Sequence, residues 1–468
     1  MKLNRKIRKN LLVFSSGFLP VVFALSATTC AKPEQKTSGP SLPGKSTTSF
    51  DYSLRQNGSS DNYRIDYNRD ALNAYINYGS ESISDQNQRN SYISKRRNEY
   101  ISAWRAAFEQ QAKELQTKFS QEYSSKLEFQ NLDTFSVSSE NIKDFQKEIQ
   151  IDFYGKKATL KFVQLSHVIE NTDYVTPKLP QAKRDSLTTE LENANSVGIV
   201  VKLSYEMFLD DKKITNIGLT LEKNANISLA KTIGQAYKEL TANLSDLPKL
   251  NIDWNNQTVK AKYFDAYLSG TSDGDTITVT ARTALDSQNI KVGDTVKIRL
   301  AGIDTPEKAV SSELSAPLEN SFAVISSKFA KDVLEQTTSA GKVVKQNLRI
   351  GFVEGKDGYG RVLADVFFGD NYEYSYNTSI VSQGYTLPYI NGFGWVNKIN
   401  EANTYENVLY PYMYDAFNKA IENKKGFFRF FNSPEDVQKF VYLIKPNNEW
   451  RPFWSQTEDN VLTKITKN

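Results

Sequence analysis

One cysteine, Cys30, and one histidine, His167, are all that 468 residues provide of the two side chains most used for nucleophilic and transition-metal chemistry. Together they exclude an intramolecular disulfide framework, Cys/His zinc sites and catalytic Cys/His pairs, and leave a Ser/His/Asp triad no imidazole beyond His167. A lone histidine after the apolar run 162–165, with no cluster of partners in sequence, reads as structural. Any chemistry must therefore run on carboxylates, arginine, lysine, tyrosine and oxygen-ligated metals. Apolar residues are also scarce: at 39% hydrophobic and a mean hydropathy of −0.52, the chain is too polar for a polytopic membrane protein. Its 12% aromatic content is too high for a disordered one. An excess of charge is missing as well. The formal charge is +4, but five of the 58 basic residues lie among the first nine, and without them the balance is 53 to 54, a net of −1. Bulk charge gives no support for nucleic-acid binding.

What is present begins with an address. Lys2 to Lys9 are basic and residues 11–25 are mostly apolar, interrupted by Ser15, Ser16, Gly17 and Pro20; Thr28, Thr29 and Cys30 follow. This is the pattern of a secretory signal rather than a spanning helix. It resembles bacterial lipoprotein signals of the mycoplasma type, in which the cysteine becomes the lipidated first residue. The expectation is a chain anchored through Cys30 on the outer face of the cell membrane.

The length predicts two folded domains plus tails. We read residues 1–29 as the signal, 30–60 as a flexible tether rich in Lys, Pro, Gly, Ser and Thr, 61–248 as an α+β domain of unassigned role, 258–432 as a second domain, and 433–468 as a C-terminal extension. In the first domain, Ile93, Tyr100, Trp104, Phe108, Leu115 and Phe119 recur at helical spacing. Residues 159–165, 197–205 and 217–221 have strand character, and 227–244 reads as a helix. In the second, strands are expected at 276–280, 296–300, 342–350 and 362–368. A helix traced by Leu318, Phe322, Ile325, Phe329 and Val333 is expected between the second and third, with Ser315 as its N-cap and Pro317 in its first turn.

Four pieces of the second domain carry chemistry: Asp273-Gly274-Asp275-Thr276, the run from Arg299 to Glu307, Asp357-Gly358-Tyr359-Gly360-Arg361, and Gln383-Gly384. Asp275 and Asp304 each sit at a strand edge beside a Gly or Pro turn. With the backbone carbonyl of Thr305 they offer the oxygen donors that hard cations such as Ca²⁺ prefer. Arg299 alternates away from the apolar face of its strand and Arg361 closes a glycine-flanked loop; two guanidinium forks aimed at one place suit a phosphate. Glu307, after the Pro306 turn, can project to the same centre and polarise a water. The set spells metal-assisted phosphodiester hydrolysis.

In this order, with Asn377, residues 380–384 and a closing helix ending at Phe428, the pieces resemble the thermonuclease family, the staphylococcal-nuclease-like domain, over about residues 259–431. That resemblance implies an α+β protein whose C-terminal part is a five-stranded OB-type barrel with packed helices, preceded by a separate α+β domain. It also implies calcium-dependent cleavage of DNA and RNA at the P–O5′ bond, leaving 3′-phosphates. Carried over residue by residue, Asp275 and Asp304 ligate calcium through their side chains and Thr305 through its carbonyl. Glu307 acts on the attacking water, Arg299 and Arg361 hold the phosphate, and Tyr359 lies near the nucleotide. Gly358 stands where the type member has lysine, and Phe428 where a closing tryptophan is common. The implied partners are DNA and RNA as substrates and a membrane through the lipid; no protein partner is read from the sequence. The alternative is an adhesin or nucleic-acid-binding lipoprotein in which the nuclease-like domain is a binding module.

Overall fold

Strict alternation builds the first unit. In the strand Ser196–Leu209, Val197, Ile199, Val201, Leu203, Tyr205, Met207 and Leu209 all turn to the core while the residues between them stay partly exposed. Numbering strands and helices along the chain, this is β5 of a six-stranded sheet ordered β1-β2-β6-β5-β4-β3, with β1 Ser53–Gln56, β2 Asn62–Asp66, β3 Glu148–Phe153, β4 Lys156–Ile169 and β6 Lys212–Ser228. These observations come from a computed structural model that describes residues 40–43, 51–240, 244–337, 343–344, 346–390, 394–445, 451–454 and 460–465. The signal segment and Cys30 lie outside them. Among the described residues no helix is long and apolar enough to cross a membrane.

The expected helical stripe is real. Helix Gln86–Tyr123 buries Tyr100, Trp104 and Phe119, and Phe119 meets Tyr205 edge to face at 5.8 Å. The Gln116 amide bonds the backbone of Thr220 both ways, at 2.7 and 2.9 Å, fixing the helix on β6. The helix expected over 227–244 does not form as such. Ile227 is fully buried and pairs with Val197 near the end of β6, and among the described residues from 227 to 240 only Ile233–Lys238 is helical, started by a capping box between Thr232 and Gln235. The apolar residues there serve two periodicities in succession, which spacing alone merges into one.

The second unit is a closed barrel of five strands: β7 Phe264–Thr271, β8 Thr276–Ala281, β9 Thr295–Leu300, β10 Asn347–Gly351 and β11 Val362–Phe368, paired in the order β10-β7-β8-β9-β11 and closed by β10 against β11. β9 and β11 run parallel. Ala266, Ile277, Val279, Ile298, Leu300, Ile350, Ala364 and Val366 fill the inside. The strand that the sequence reading did not name is β7, whose alternation breaks at a bulge between Leu268 and Gly270. The helix Pro317–Leu334 buries its expected stripe, but Ala316, not Ser315, holds the cap position. The Ser315 hydroxyl instead donates to the Lys308 carbonyl at 3.0 Å, and Pro317 is in the first turn as read.

The two units share a seam. The Phe135 amide donates to the Phe430 carbonyl at 2.7 Å, and Asn432 N–H to the Ser136 hydroxyl at 2.6 Å. His167 sits in this seam, its Nε2 2.6 Å from the Phe135 carbonyl and its ring 5.1 Å from Phe440. Burial, then the Lys439 charge, pushes its pKa down, so a structural, uncharged ring fits the site. The segment after Asn432 is equally well anchored: in helix Pro434–Val441, Val437, Phe440 and Val441 are buried, and Tyr442 beyond it is buried too.

Candidate metal and phosphate site

The site is built where β8 begins and β9 ends. Thr276 pairs with Arg299 across these strands, so Asp275, one residue before β8, falls beside the Arg299 side chain. The turn before it is pressed against the helix Pro317–Leu334. A Cβ on Gly274 would lie 2.7 Å from the Thr305 methyl and 2.9 Å from the Ser326 Cβ, so only glycine lets the turn approach this closely. After β9 the chain reverses at Gly302, at φ +72°, with the Ala301 carbonyl taking hydrogen bonds from Asn377 and Tyr405, each at 2.6 Å. This delivers Asp304, which is paired with Leu387, back into the same place.

Arg299 then bridges the two aspartates, one guanidinium nitrogen on Asp275 and the other on Asp304. Asp275 also accepts from the Thr305 amide at 3.0 Å, the Thr305 hydroxyl at 3.1 Å and the Thr276 hydroxyl at 3.1 Å. Thr305 thus turns both donors to Asp275. Glu307 completes the acids, and donor oxygens of Asp275, Asp304 and Glu307 all lie within 4.8 Å of one another. Calcium–oxygen bonds of about 2.3–2.6 Å span such a separation, and the donors are the hard oxygens that the ion takes. The residues fit a hard divalent cation.

Arg361 reaches the site from the other side. Asp357 shapes its loop, accepting from the Tyr359 and Arg361 amides at 2.9 Å each and from Arg361 Nε at 2.7 Å. An outer nitrogen of Arg361 donates to the Thr276 hydroxyl at 3.2 Å, and that hydroxyl bonds Asp275. The Tyr359 ring stands out at the rim, 86% exposed. All the residues read as site residues in this domain are therefore assembled, with Tyr359 outermost. Arg299, however, is engaged with the aspartates and so acts first as their clamp.

Four residues were not read from the sequence. Asp273 lies in the recognised turn, accepts the Asp275 amide at 3.2 Å, and is pushed up to about 7 by burial and by the charges of Asp275 and Glu307. Glu319, fully buried in the first turn of its helix, binds the Glu307 amide at 3.2 Å and the Leu443 and Ile444 amides at 3.1 and 3.0 Å. Tyr442 donates to the Asp304 carbonyl at 2.8 Å. Lys445 pairs with Glu307 and lies 3.9 Å from Asp304. Asp273 has its turn as a local signal and Glu319 is a carboxylate next to Leu318 in the first turn of its helix, whereas Tyr442 and Lys445 have none.

The charges are unbalanced towards negative. Burial pushes the Asp275 carboxyl up, but the Arg299 charge and the Arg299 and Thr305 hydrogen bonds outweigh it and hold it at about 2. Asp304 is raised, by burial first and by Asp275, against Arg299 and Lys445. Glu307 is raised by burial and then by Asp275. A cation at this centre would relieve both remaining carboxyls.

Comparison with known proteins agrees with this geometry. Residues 297–428 match the family described as staphylococcal nuclease homologue. The matched stretch contains Arg299, Asp304, Glu307 and Arg361; Asp275 precedes it, and Tyr442 and Lys445 follow it. No curated protein matches the chain.

Proposed function

We propose, with a thermonuclease-like domain as the premise, that the protein is a calcium-dependent, sugar-nonspecific nuclease. It would hydrolyse phosphodiester bonds of DNA and RNA to 3′-phosphate products at the outer face of the cell membrane. The observation that carries this reading is the convergence of three carboxylates within 4.8 Å, with Arg361 one hydroxyl away across Thr276. Asp275 and Asp304 would hold the cation, with the Thr305 carbonyl as a further donor. When bound, calcium supplies a positive centre that neutralises a phosphate oxygen and orients water.

The chain's own groups do the rest. Glu307 orients the attacking water and accepts its proton as oxygen adds to phosphorus. Negative charge then grows on the pentacoordinate centre, where Arg361 places a guanidinium that remains protonated at any working pH. The P–O5′ bond breaks with its electron pair going to the 5′ oxygen, which takes a proton from solvent water, and the phosphate stays on the 3′ side. Arg299 contributes by fixing Asp275 and Asp304 in register, and Tyr359 offers an exposed ring at the mouth on which a base can stack.

Purified protein should cleave supercoiled DNA and single-stranded RNA with calcium, and stop when chelator is added in excess. Asp304→Asn should lose calcium binding and cleavage together. Retention of polymer by a protein that never cuts would instead establish the domain as a binding module. The address is tested separately: the protein should take up fatty-acid label and partition with detergent, and Cys30→Ser should abolish both. Unchanged labelling of that variant would remove the anchor from the proposal.

A further inference from the structure

Lys445 comes to the site from 138 residues beyond Glu307, outside the stretch matched to the nuclease family. Its ammonium pairs with a Glu307 oxygen and lies 3.9 Å from the Asp304 oxygen that also receives Arg299. Two of the three carboxylates suited to a divalent cation thus already share one positive charge. The backbone leading to Lys445 is clamped to the walls of the same site. The Tyr442 hydroxyl bonds the Asp304 carbonyl at 2.8 Å, and the Leu443 and Ile444 amides bond the buried Glu319 at 3.1 and 3.0 Å. The side chain itself is 36% exposed, whereas that of Arg299, which grips buried aspartates with both arms, is 13% exposed.

We propose that Lys445 is an internal counter-ion which competes with the divalent cation for Glu307 and Asp304, so that the cation enters only as the ammonium swings out towards the mouth. The inference rests on the reading of this cluster as a metal centre. An ammonium and a divalent ion repel each other too strongly to share oxygens within about 4 Å. Because residues 442–444 are fixed, the tether keeps the ammonium at high effective concentration while the four-carbon stem turns. Displaced to the mouth, the same charge meets an incoming phosphodiester. Polymer should therefore draw Lys445 from the carboxylates and favour cation binding, and the cation should favour polymer, since such coupling is reciprocal.

The test is calorimetric titration of the full-length protein with calcium chloride, comparing wild type with Lys445→Met, which keeps the stem without the charge, and Lys445→Arg, which keeps the charge. Lys445→Met should bind calcium about tenfold or more tightly than wild type, the common scale of coupling between competing ligands. Lys445→Arg should stay with wild type. A thermal melt shows that each variant is folded. Equal or weaker binding by folded Lys445→Met overturns this inference alone. Absence of binding in all three overturns the metal-centre reading and this inference with it.

Discussion

Ending the chain after Asn432 should leave a barrel that melts far below the full-length protein and does not cleave. The lost residues Val437, Phe440, Val441 and Tyr442 are all buried, and Tyr442 packs against Phe427 at a ring distance of 6.4 Å. Each such side chain contributes roughly 2 kcal/mol by burial. Four of them together are comparable with the whole stability of an ordinary domain, about 5–15 kcal/mol. Glu319 would lose the Leu443 and Ile444 amides while remaining deep in the protein, where burial already raises its carboxyl to about 8. A fall in Tm of more than about 10 °C is expected on this scale. Thermal melts of the full-length and shortened chains decide it. Coincident melts would show that residues beyond Asn432 are an appendage, whatever their contacts.

The second large effect separates the two arginines. Arg361 is fixed by Asp357, keeps a side chain 27% exposed, and shares Thr276 with the acidic cluster. Arg361→Ala should therefore lower kcat by about 10²–10³, the typical cost of one positioned donor to a developing oxyanion. Its KM and Tm should change little. Arg299→Ala should also abolish cleavage, but by another route: it strands Asp275 and Asp304, two buried carboxylates that Arg299 bridges. Removing one partner from a buried ionic group costs about 3–5 kcal/mol. Single-turnover cleavage beside thermal melting distinguishes them. If Arg361→Ala cleaves at the wild-type rate, or Arg299→Ala melts like wild type, the roles assigned here are wrong.

The cluster was legible because its geometry is largely local. Asp275 and Asp304 lie next to turns that Gly274 and Gly302 make possible, and strand pairing places Arg299 opposite Thr276. A side chain's place in such a motif follows from a few residues around it. The strands read at 276–280 and 362–368 were equally plain, the first by its alternation and the second as a short, almost continuous apolar run. β7 was hidden by its bulge, and the run 227–244 joined the end of a strand to a short helix. Tyr442 and Lys445 carried no local mark at all. An ordinary tyrosine and an ordinary lysine acquire roles only because the segment holding them folds back to Asp304 and Glu307. For the same reason Arg299 looked free to take a phosphate, since its spacing shows which way it points but not which acids meet it there.

The order in which the chain is made gives that fold-back a temporal meaning. Asp304 leaves the ribosome 138 residues before the tyrosine that bonds its carbonyl. The barrel cannot close until Val362–Phe368 has arrived to join β9 and β10, and the segment over Asp304 and Glu307 follows later still. Contacts so distant along the chain form slowly, because their loops must close before packing compensates for the lost entropy. A nascent chain thus displays its acidic motif well before it possesses a finished site, and a segment synthesised much later completes it.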